Sequence, residues 1–316
     1  MRGTPRHWPF GRRSGRGRWH EHRRCAGPAS CRRVASDRTT RPSATVLTST
    51  HSDNIELLAL ATRLAVAAGD GARDGRAERG IAATSTKSSA TDMVTEFDKA
   101  SEALIVGGIL EARPDDAIIG EEGTDTAGTS GITWLIDPID GTTNFLYGLP
   151  GWAVSIAASS PDGTQVGVVY VPTTNELYTA VAGEGAFLNG RRIHCSETDQ
   201  LALALVATGF SYQVERRQLH AHRVAHMLPR VRDIRRFGAA APDLCYVAAG
   251  RVDVYFEQWL GAWDLAAGEL IAREAGCRTG SLDGGPVRPD SVLAANPSLF
   301  PLMHALIEEI DGEHRD

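Results

Sequence analysis

Trp134-Leu135-Ile136-Asp137-Pro138-Ile139-Asp140-Gly141-Thr142-Thr143-Asn144-Phe145 opens as an apolar strand and runs straight into two aspartates three residues apart. The strand fixes the first carboxylate, and Pro138 stiffens the turn behind it. Gly141 lets the backbone approach a ligand closely, while Thr142 and Thr143 stand where a following helix presents N–H groups to an anion. Two N-capping aspartates would be the plain structural alternative. Two carboxylates beside an anion-binding helix start instead ask for a cation between them. Hard cations such as Mg2+ take oxygen ligands, keep several waters and share phosphate oxygens, so the stretch predicts a metal–phosphate site.

Two further acidic places lie outside it. Ile118-Ile119-Gly120-Glu121-Glu122-Gly123 ends an apolar strand on adjacent carboxylates, a pattern that by itself describes a solvated loop. In Trp263-Asp264-Leu265-Ala266-Ala267-Gly268 one acid opens an apolar helix behind Gly261, and its default role is an N-cap. Such a residue still ligates a metal if the other acids converge on it.

Around these sites the chain alternates helices and strands. Apolar residues at helical spacing from Ile55 to Leu64 predict a first helix over residues 53–68, with the glycine-rich stretch 69–80 as a connection. Helices are expected over 96–112, 216–227, 239–249 and 264–275. Strands are expected over 117–119, 133–136, 152–158, 166–171 and 252–257. Such a mixture over about 265 residues suggests one layered unit or two intimate halves.

The overall charge of −6 hides two opposite pieces. Residues 1–50 hold twelve Arg and two acids, leaving 21 bases against 37 acids, a net −16, in residues 51–316. The Arg-, Gly- and Ser-rich first fifty residues cannot bury enough surface to offset chain entropy, so a disordered extension is expected there, with one folded domain over 51–316. As a functional segment it reads as a nucleic-acid arm or a transit peptide; a secretory leader is excluded, since no apolar run follows the charges. A bland origin competes: only Lys87 and Lys99 stand against 31 Arg, the bias of a GC-rich coding sequence in which an upstream start is easily misassigned. The acidic body argues against nucleic acid meeting it except through residues 1–50. No apolar run approaches a membrane span.

Five Cys without CxxC spacing suggest neither a zinc site nor a disulfide framework, and a reducing cytoplasm is the simplest setting. His220, His222 and His226 lack a completing Glu or Cys, so a solvated helix face is expected rather than a metal site.

Taken together, these motifs resemble the inositol monophosphatase family of Mg2+-dependent, lithium-sensitive phosphatases, from about residue 53 to 310. The matching pieces are Lys87-Ser88-Ser89-Ala90-Thr91-Asp92, Val94-Thr95-Glu96-Phe97-Asp98, Gly120-Glu121-Glu122, the 137–145 run, Gly183-Glu184-Gly185-Ala186-Phe187-Leu188-Asn189-Gly190, and Trp263-Asp264 with Glu274-Ala275-Gly276. The resemblance implies an α+β fold, a layered αβαβα sandwich of the inositol monophosphatase and fructose-1,6-bisphosphatase type, commonly homodimeric. It assigns metal carboxylates to Glu121, Asp137, Asp140 and Asp264, a carbonyl ligand to Ile139, and a weaker third-metal acid to Glu122, for two or three Mg2+ per site. Thr142 and Asp98 would orient the attacking water that Glu121 helps activate, and the Gly141 and Thr142 amides would receive the phosphate. Asp140, Glu257, Ala239 and Asp264 would face the alcohol, and Lys87 would belong to a mobile loop beside the metals.

The activity so implied is hydrolysis of inositol 1-phosphate by metal-activated water, without a phosphoenzyme, in the cytoplasm. Histidinol phosphate, fructose 1,6-bisphosphate and 3′-phosphoadenosine nucleotides are rival substrates, since fold and metals do not separate them. From another class, the basic arm suggests an RNA- or transcription-machinery-binding protein. Ala239 stands where many relatives carry a hydroxyl, and Ser211 aligns loosely with a substrate-contacting serine, so substrate is less determined than chemistry. Trp259 and Leu260 could form a pocket wall or pack in the core. Arg235 and Arg236 could serve a second anionic group, a dimer contact, or solvent alone.

Overall fold

Each long strand of this chain carries apolar side chains on both faces, which is possible only where both faces are covered. In a computed structural model, describing residues 44–81, 84–86 and 93–313, they are. Seven α-helices appear among the described residues: α1 Ala44–Arg79, α2 Glu96–Ala112, α3 Thr142–Tyr147, α4 Val214–Met227, α5 Ala240–Ala248, α6 Ala262–Glu274 and α7 Leu299–Glu313. An eight-stranded sheet and a five-stranded sheet lie among them.

Alternation along the strands sorts the core into layers. Trp134, Ile136, Val154, Ile156, Val166 and Val168 pack under Leu57, Leu60 and Leu64 of α1 and Ile105 and Ile109 of α2. Their neighbours Leu135, Ala157, Val169 and Val171 face the other way, onto Leu244 of α5 and Leu270 and Ile271 of α6. Beneath those helices come Ala207, Tyr255, Val292 and Ala294 of the smaller sheet. Its opposite face, Val206, Val254, Phe256, Leu293 and Ala295, is closed by Met227 of α4 and by Leu299, Met303, Leu306 and Ile310 of α7. The order is helix, sheet, helix, sheet, helix, the expected αβαβα sandwich.

In the larger sheet Thr133–Asp140 lies between Ala117–Gly120, to which it runs parallel, and Ala153–Ser160, to which it runs antiparallel. Glu121 and Asp137 therefore emerge at the same end of two adjacent parallel strands. In the smaller sheet Leu205–Thr208 and Val254–Glu257 run parallel and deliver Gly209 and Glu257 to one end.

The first helix departs furthest from expectation. It spans 36 residues rather than sixteen, starting inside the segment read as extension and continuing through Gly69, Gly71 and Gly75. Sequence propensity was overridden by packing: a Cβ at Gly69 would stand 2.7 Å from Pro172 and 2.8 Å from the Tyr170 ring, so the missing side chain is what lets the helix lie on the sheet. The Tyr170 hydroxyl then donates to Asp70 at 2.8 Å. Gly69→Ala is expected to cost about 1–3 kcal/mol through overpacking, lowering Tm by several degrees; an unchanged Tm in thermal unfolding would contradict this docking. The remainder of the 1–50 reading, residues 1–43, lies outside the described residues.

Other boundaries match to within a few residues. The strand expected to stop at Ile136 continues to Asp140, with a register shift between Asp137 and Asp140. Pro138 has no N–H for the ladder, and the Ile139 N–H turns back to the Asp137 carboxylate at 3.0 Å. Such irregularities re-aim side chains. Although no pairing of Cys was suggested by spacing, Cys195 and Cys277 come within hydrogen-bond reach as free thiols. No helix among the described residues is long and apolar enough to cross a membrane.

Candidate active site

A cavity of about 330 Å³ opens where the two sheets' strand ends meet the starts of α3, α5 and α6. Its lining includes Glu121, Asp137, Ile139, Asp140, Gly141, Thr142, Ala239, Glu257 and Asp264. Nine of the eleven residues expected in the site are thus gathered from five separate segments. Asp98 stands behind the cavity wall on Thr142. Glu122 does not line the cavity; its N–H donates to Glu102 at 2.9 Å. Lys87 lies outside the described residues.

Asp137 is 1 % exposed, and its carboxyl lies within hydrogen-bond reach of those of Glu121 and Asp264. Burial, then the negative charges of Glu121, Asp140 and Asp264, hold its pKa well above the usual carboxylate range. Asp140 is raised by burial and by Asp264 in the same way, and burial with the Glu121 charge pushes Asp264 up to about 7. The charges acting most strongly on Asp137 are all negative, and the donor set consists of hard oxygens. Among the described residues no three His, Cys, Asp or Glu form a ready-made ligating cage. Desolvated carboxylates that repel one another, next to the Ile139 carbonyl, nevertheless fit a hard divalent cation, whose binding would displace the protons they hold.

Neither Asp137 nor Asp140 caps α3. That position belongs to Gly141, in the left-handed region at φ 88°, where an added Cβ would also meet that of Ala239 at 2.9 Å. The Asp140 carboxylate instead receives the N–H groups of Ala240 at 3.2 Å and Ala241 at 2.6 Å, capping α5 from a hundred residues away. Ala239, the N-cap of α5, supplies no side-chain bond of its own. Asp264 is likewise not an N-cap but stands one turn in, accepting from the Gly261 N–H at 2.7 Å.

The Thr142 hydroxyl lies 3.2 Å from an Asp98 oxygen and 3.1 Å from the Ile139 carbonyl. Asp98, fully buried, also accepts from the N–H of Thr95 at 2.8 Å and its hydroxyl at 2.5 Å, completing the capping box of α2. A single hydroxyl proton pointed at these acceptors leaves the oxygen's lone pairs free to face the cavity.

Glu257 is half-buried, and its pKa is raised by desolvation, opposed by the Tyr255 hydroxyl donating at 2.7 Å and by the Arg236 charge. A Cβ at Gly209 would fall 2.0 Å from this carboxyl, so any side chain there would displace it.

Three supporting residues were not anticipated. Glu102 receives the N–H groups of Glu122 and Thr124 and the Thr124 hydroxyl, fixing the turn that carries Glu121. Its signal was present, a Glu on the same helical face as Phe97, Asp98, Ser101 and Ile105. Asn144 donates to the carbonyls of Gly151 at 3.0 Å and Phe237 at 2.7 Å, tying α3 to the segment before α5. Asp243, 1 % exposed on α5, has its pKa raised well above normal by burial and by Glu257 and Asp140.

The basic pair divides. Arg235 is exposed and pairs with Asp233 at 2.6 Å, whereas Arg236 lines the cavity, as do Arg216, Ser211, Trp259 and Leu260. His220 corrects the expected solvated face: it is buried, accepts the Ser211 N–H at 3.3 Å, and shares the inner face of α4 with Arg223 and Met227.

Burial, with the charges of Arg223, Arg216 and Arg217, lowers the His220 pKa to about 4. Between about pH 6.5 and 4 the unfolded chain takes up a proton that the folded one refuses. This residue's contribution is therefore complete above pH 6.5 and lost as pH falls towards 4. His220→Phe is expected to flatten that part of the pH–stability curve in denaturant titrations; an unaltered slope would show that His220 titrates normally.

Residues 53–311 match the inositol monophosphatase family. The chain belongs to that family. Among curated members, an inositol-1-monophosphatase SuhB of Mycobacterium tuberculosis is 42 % identical over 250 residues, 75 % of this chain and 85 % of that protein. A protein of Pasteurella multocida named Nus factor SuhB is 46 % identical over 231 residues, 72 % of this chain and 86 % of that one. Among solved structures, the Bartonella henselae extragenic suppressor protein suhB superposes with a TM-score of 0.77 at 35 % identity, covering 80 % of this chain and 99 % of that chain. The IMPase of Thermotoga maritima gives 0.75 at 32 %, covering 82 % and 99 %. This inositol monophosphatase-family chain is thus a phosphatase of the family's generally metal-dependent type.

Proposed function

We propose that the chain is a Mg2+-dependent phosphomonoesterase that hydrolyses inositol 1-phosphate to inositol and phosphate without a phosphoenzyme, as a cytoplasmic homodimer. The observation that carries this reading is the convergence of Glu121, Asp137, Asp140 and Asp264 with the Gly141–Thr142 turn in one cavity. Its size falls in the range of small-ligand sites, roughly 300–1,000 Å³.

Glu121, Asp137, Asp140, Asp264 and the Ile139 carbonyl would hold Mg2+, which when bound would supply positive charge to the phosphoryl and departing oxygens and lower the pKa of water. Every other task falls to the chain. The Gly141 and Thr142 amides, at the start of α3, hold the phosphate. Thr142 Oγ1 passes its own proton to Asp98 as it accepts one from the attacking water, the new phosphorus–oxygen bond forms, the ester bond breaks in line, and the departing alkoxide takes a proton from solvent water. Glu257 and Asp140 face the hydroxyls of the alcohol and orient it. Ala239 offers no hydroxyl to the substrate, so this rim contributes shape alone.

The test is phosphate release from inositol 1-phosphate, histidinol phosphate, fructose 1,6-bisphosphate and 3′-phosphoadenosine 5′-phosphate, with Mg2+, with EDTA and with lithium. Mg2+-dependent, lithium-inhibited preference for inositol 1-phosphate is expected. Preference for another ester would move the substrate but keep the mechanism, and no release from any would sink the reading.

A second reading rests on the relatives named Nus factor SuhB: an RNA- or transcription-machinery-binding role using the basic residues 1–50. Salt-dependent RNA binding lost on deleting residues 1–50 is its expected signature.

A further inference from the structure

Two free thiols of the chain meet away from the cavity that gathers the carboxylates: neither Cys195 nor Cys277 belongs to its lining. Cys195 lies on the crossover between the sheets, after the strand Arg191–Arg192 of the larger one and before Leu205–Thr208 of the smaller. Cys277 follows α6 and leads into the strand Arg278–Gly280. The crossover is pinned against the end of α6. The Cys195 N–H donates to the Ala275 carbonyl at 3.1 Å and the Ile193 N–H to that of Ala186 at 3.0 Å, while the Ser196 hydroxyl donates to Asp253 at 2.6 Å. The Cys277 N–H turns back to the Ala272 carbonyl at 3.0 Å. Between the two lies Gly276, at φ 92°, where an added Cβ would stand 3.8 Å from Cys195 Sγ.

The sulfurs are in hydrogen-bonding contact, and their surroundings differ. Cys277 is 7 % exposed and packs in the core with Ile271 and Ala275, whereas Cys195 is half-buried at the edge of that cluster. The S–H of Cys277, donated to Cys195, brings the Cys195 thiol down to about 7 against desolvation, and the same bond together with burial pushes Cys277 up. The outer sulfur therefore forms thiolate while the inner one keeps its proton. Cys245, by contrast, is fully buried, and burial pushes its thiol up.

We propose that Cys195 and Cys277 form a peroxide-reactive dithiol, in which Cys195 attacks the peroxide and Cys277 converts the product into a disulfide that staples the crossover to the end of α6. Cys195, its proton released, attacks one oxygen of hydrogen peroxide: a sulfur–oxygen bond forms, the oxygen–oxygen bond breaks, and the departing hydroxide takes up a proton to become water. Cys277 then attacks the sulfenic sulfur. The sulfur–sulfur bond forms, the sulfur–oxygen bond breaks, and the second hydroxide leaves with the Cys277 proton as water. Two thiols lose two electrons, and one peroxide becomes two waters. From hydrogen-bonding contact, side-chain rotation brings the sulfurs to the disulfide distance of about 2.05 Å. Cellular thiols reopen such a bond by exchange, so the staple is reversible in a reducing cytoplasm.

The bond encloses residues 195–277, which carry Gly209, Ala239, Glu257 and Asp264 of the cavity. It thus joins the two ends of the segment that supplies the smaller sheet's side of the site. A cross-link of this kind stabilises by constraining the unfolded chain.

The test treats reduced full-length protein with a small excess of hydrogen peroxide, alkylates the remaining thiols and maps unreduced peptides by mass spectrometry. The Cys195 and Cys277 peptides are expected to be linked within one chain and separable by dithiothreitol, and the oxidised protein to unfold several degrees above the reduced one. Cys195 linked to a different cysteine, or both thiols left open to alkylation, would overturn the proposal, and equal unfolding temperatures would overturn the staple. In Cys277→Ser, peroxide should leave a Cys195 sulfenic acid that dimedone traps; no adduct would remove Cys195 as the attacking group. Because that substitution alters a core position, the wild type carries an independent readout. Near pH 7 iodoacetamide should alkylate Cys195 at least about tenfold faster than Cys277 or Cys245, and comparable rates would overturn the assignment.

Discussion

Asp140→Asn is expected to lower Mg2+-dependent phosphate release by about 10³-fold or more while leaving the fold intact. The carboxylate belongs to the repelling, desolvated group with Asp137, Asp264 and Glu121, and charge stabilisation in such a site is usually the largest catalytic term. Asn keeps an acceptor for the Ala241 N–H, which Asp140 meets at 2.6 Å, and gives up only the longer bond from the Ala240 N–H at 3.2 Å, so the start of α5 stays partly capped. It also removes a buried negative charge. A raised Asp pKa means that the folded state holds a proton the unfolded state has released, so this carboxylate destabilises the metal-free protein increasingly as pH rises above the ordinary Asp value. Metal-free Asp140→Asn should therefore unfold at the same temperature as the parent or higher near neutral pH, and gain less from added Mg2+. Turnover close to that of the parent would sink the assignment of Asp140 as a metal ligand.

The second large effect concerns the hydroxyl. Thr142→Val keeps the branched shape of the side chain and deletes the oxygen that lies 3.2 Å from Asp98 and 3.1 Å from the Ile139 carbonyl. A positioned proton acceptor typically contributes 10²–10⁴-fold, so kcat is expected to fall by about 10²–10³-fold with KM for the ester little changed. Thr142→Ser should recover most of the rate, because hydroxyl and acceptors are retained. Asp98 keeps its bonds to Thr95 in every variant, so α2 stays capped. A Thr142→Val enzyme with undiminished kcat would show that the water surrenders its proton elsewhere.

Much of this site was legible in the sequence because its informative parts are local. An apolar strand running into Asp137, a glycine at 141 with positive φ, and Thr95 three residues before Asp98 are all settled within a turn or two of chain. The same locality misled in places. Glycines at 69, 71 and 75 read as a connection because propensity counts them against a helix, whereas at Gly69 contact with Tyr170 and Pro172, a hundred residues away, makes the missing side chain an advantage. His220 read as solvated because its neighbours in sequence are polar, and its burial comes from Phe210 and Trp259 packing on either side.

The sequence by itself determined which acids are available, that each ends a strand or opens a helix, and that the chain alternates elements suited to stacked layers. Only the tertiary structure decided that Asp140 caps α5 rather than its own helix, that Glu102 braces the Glu121 turn, that Arg236 enters the cavity while Arg235 pairs outside it, and that an uncharged histidine links two arginines through aromatic rings. The reason is physical. Strand ends and helix caps depend on neighbours a few residues away, whereas the meeting of groups one hundred residues apart depends on strand register and on how two sheets pack through the helices between them.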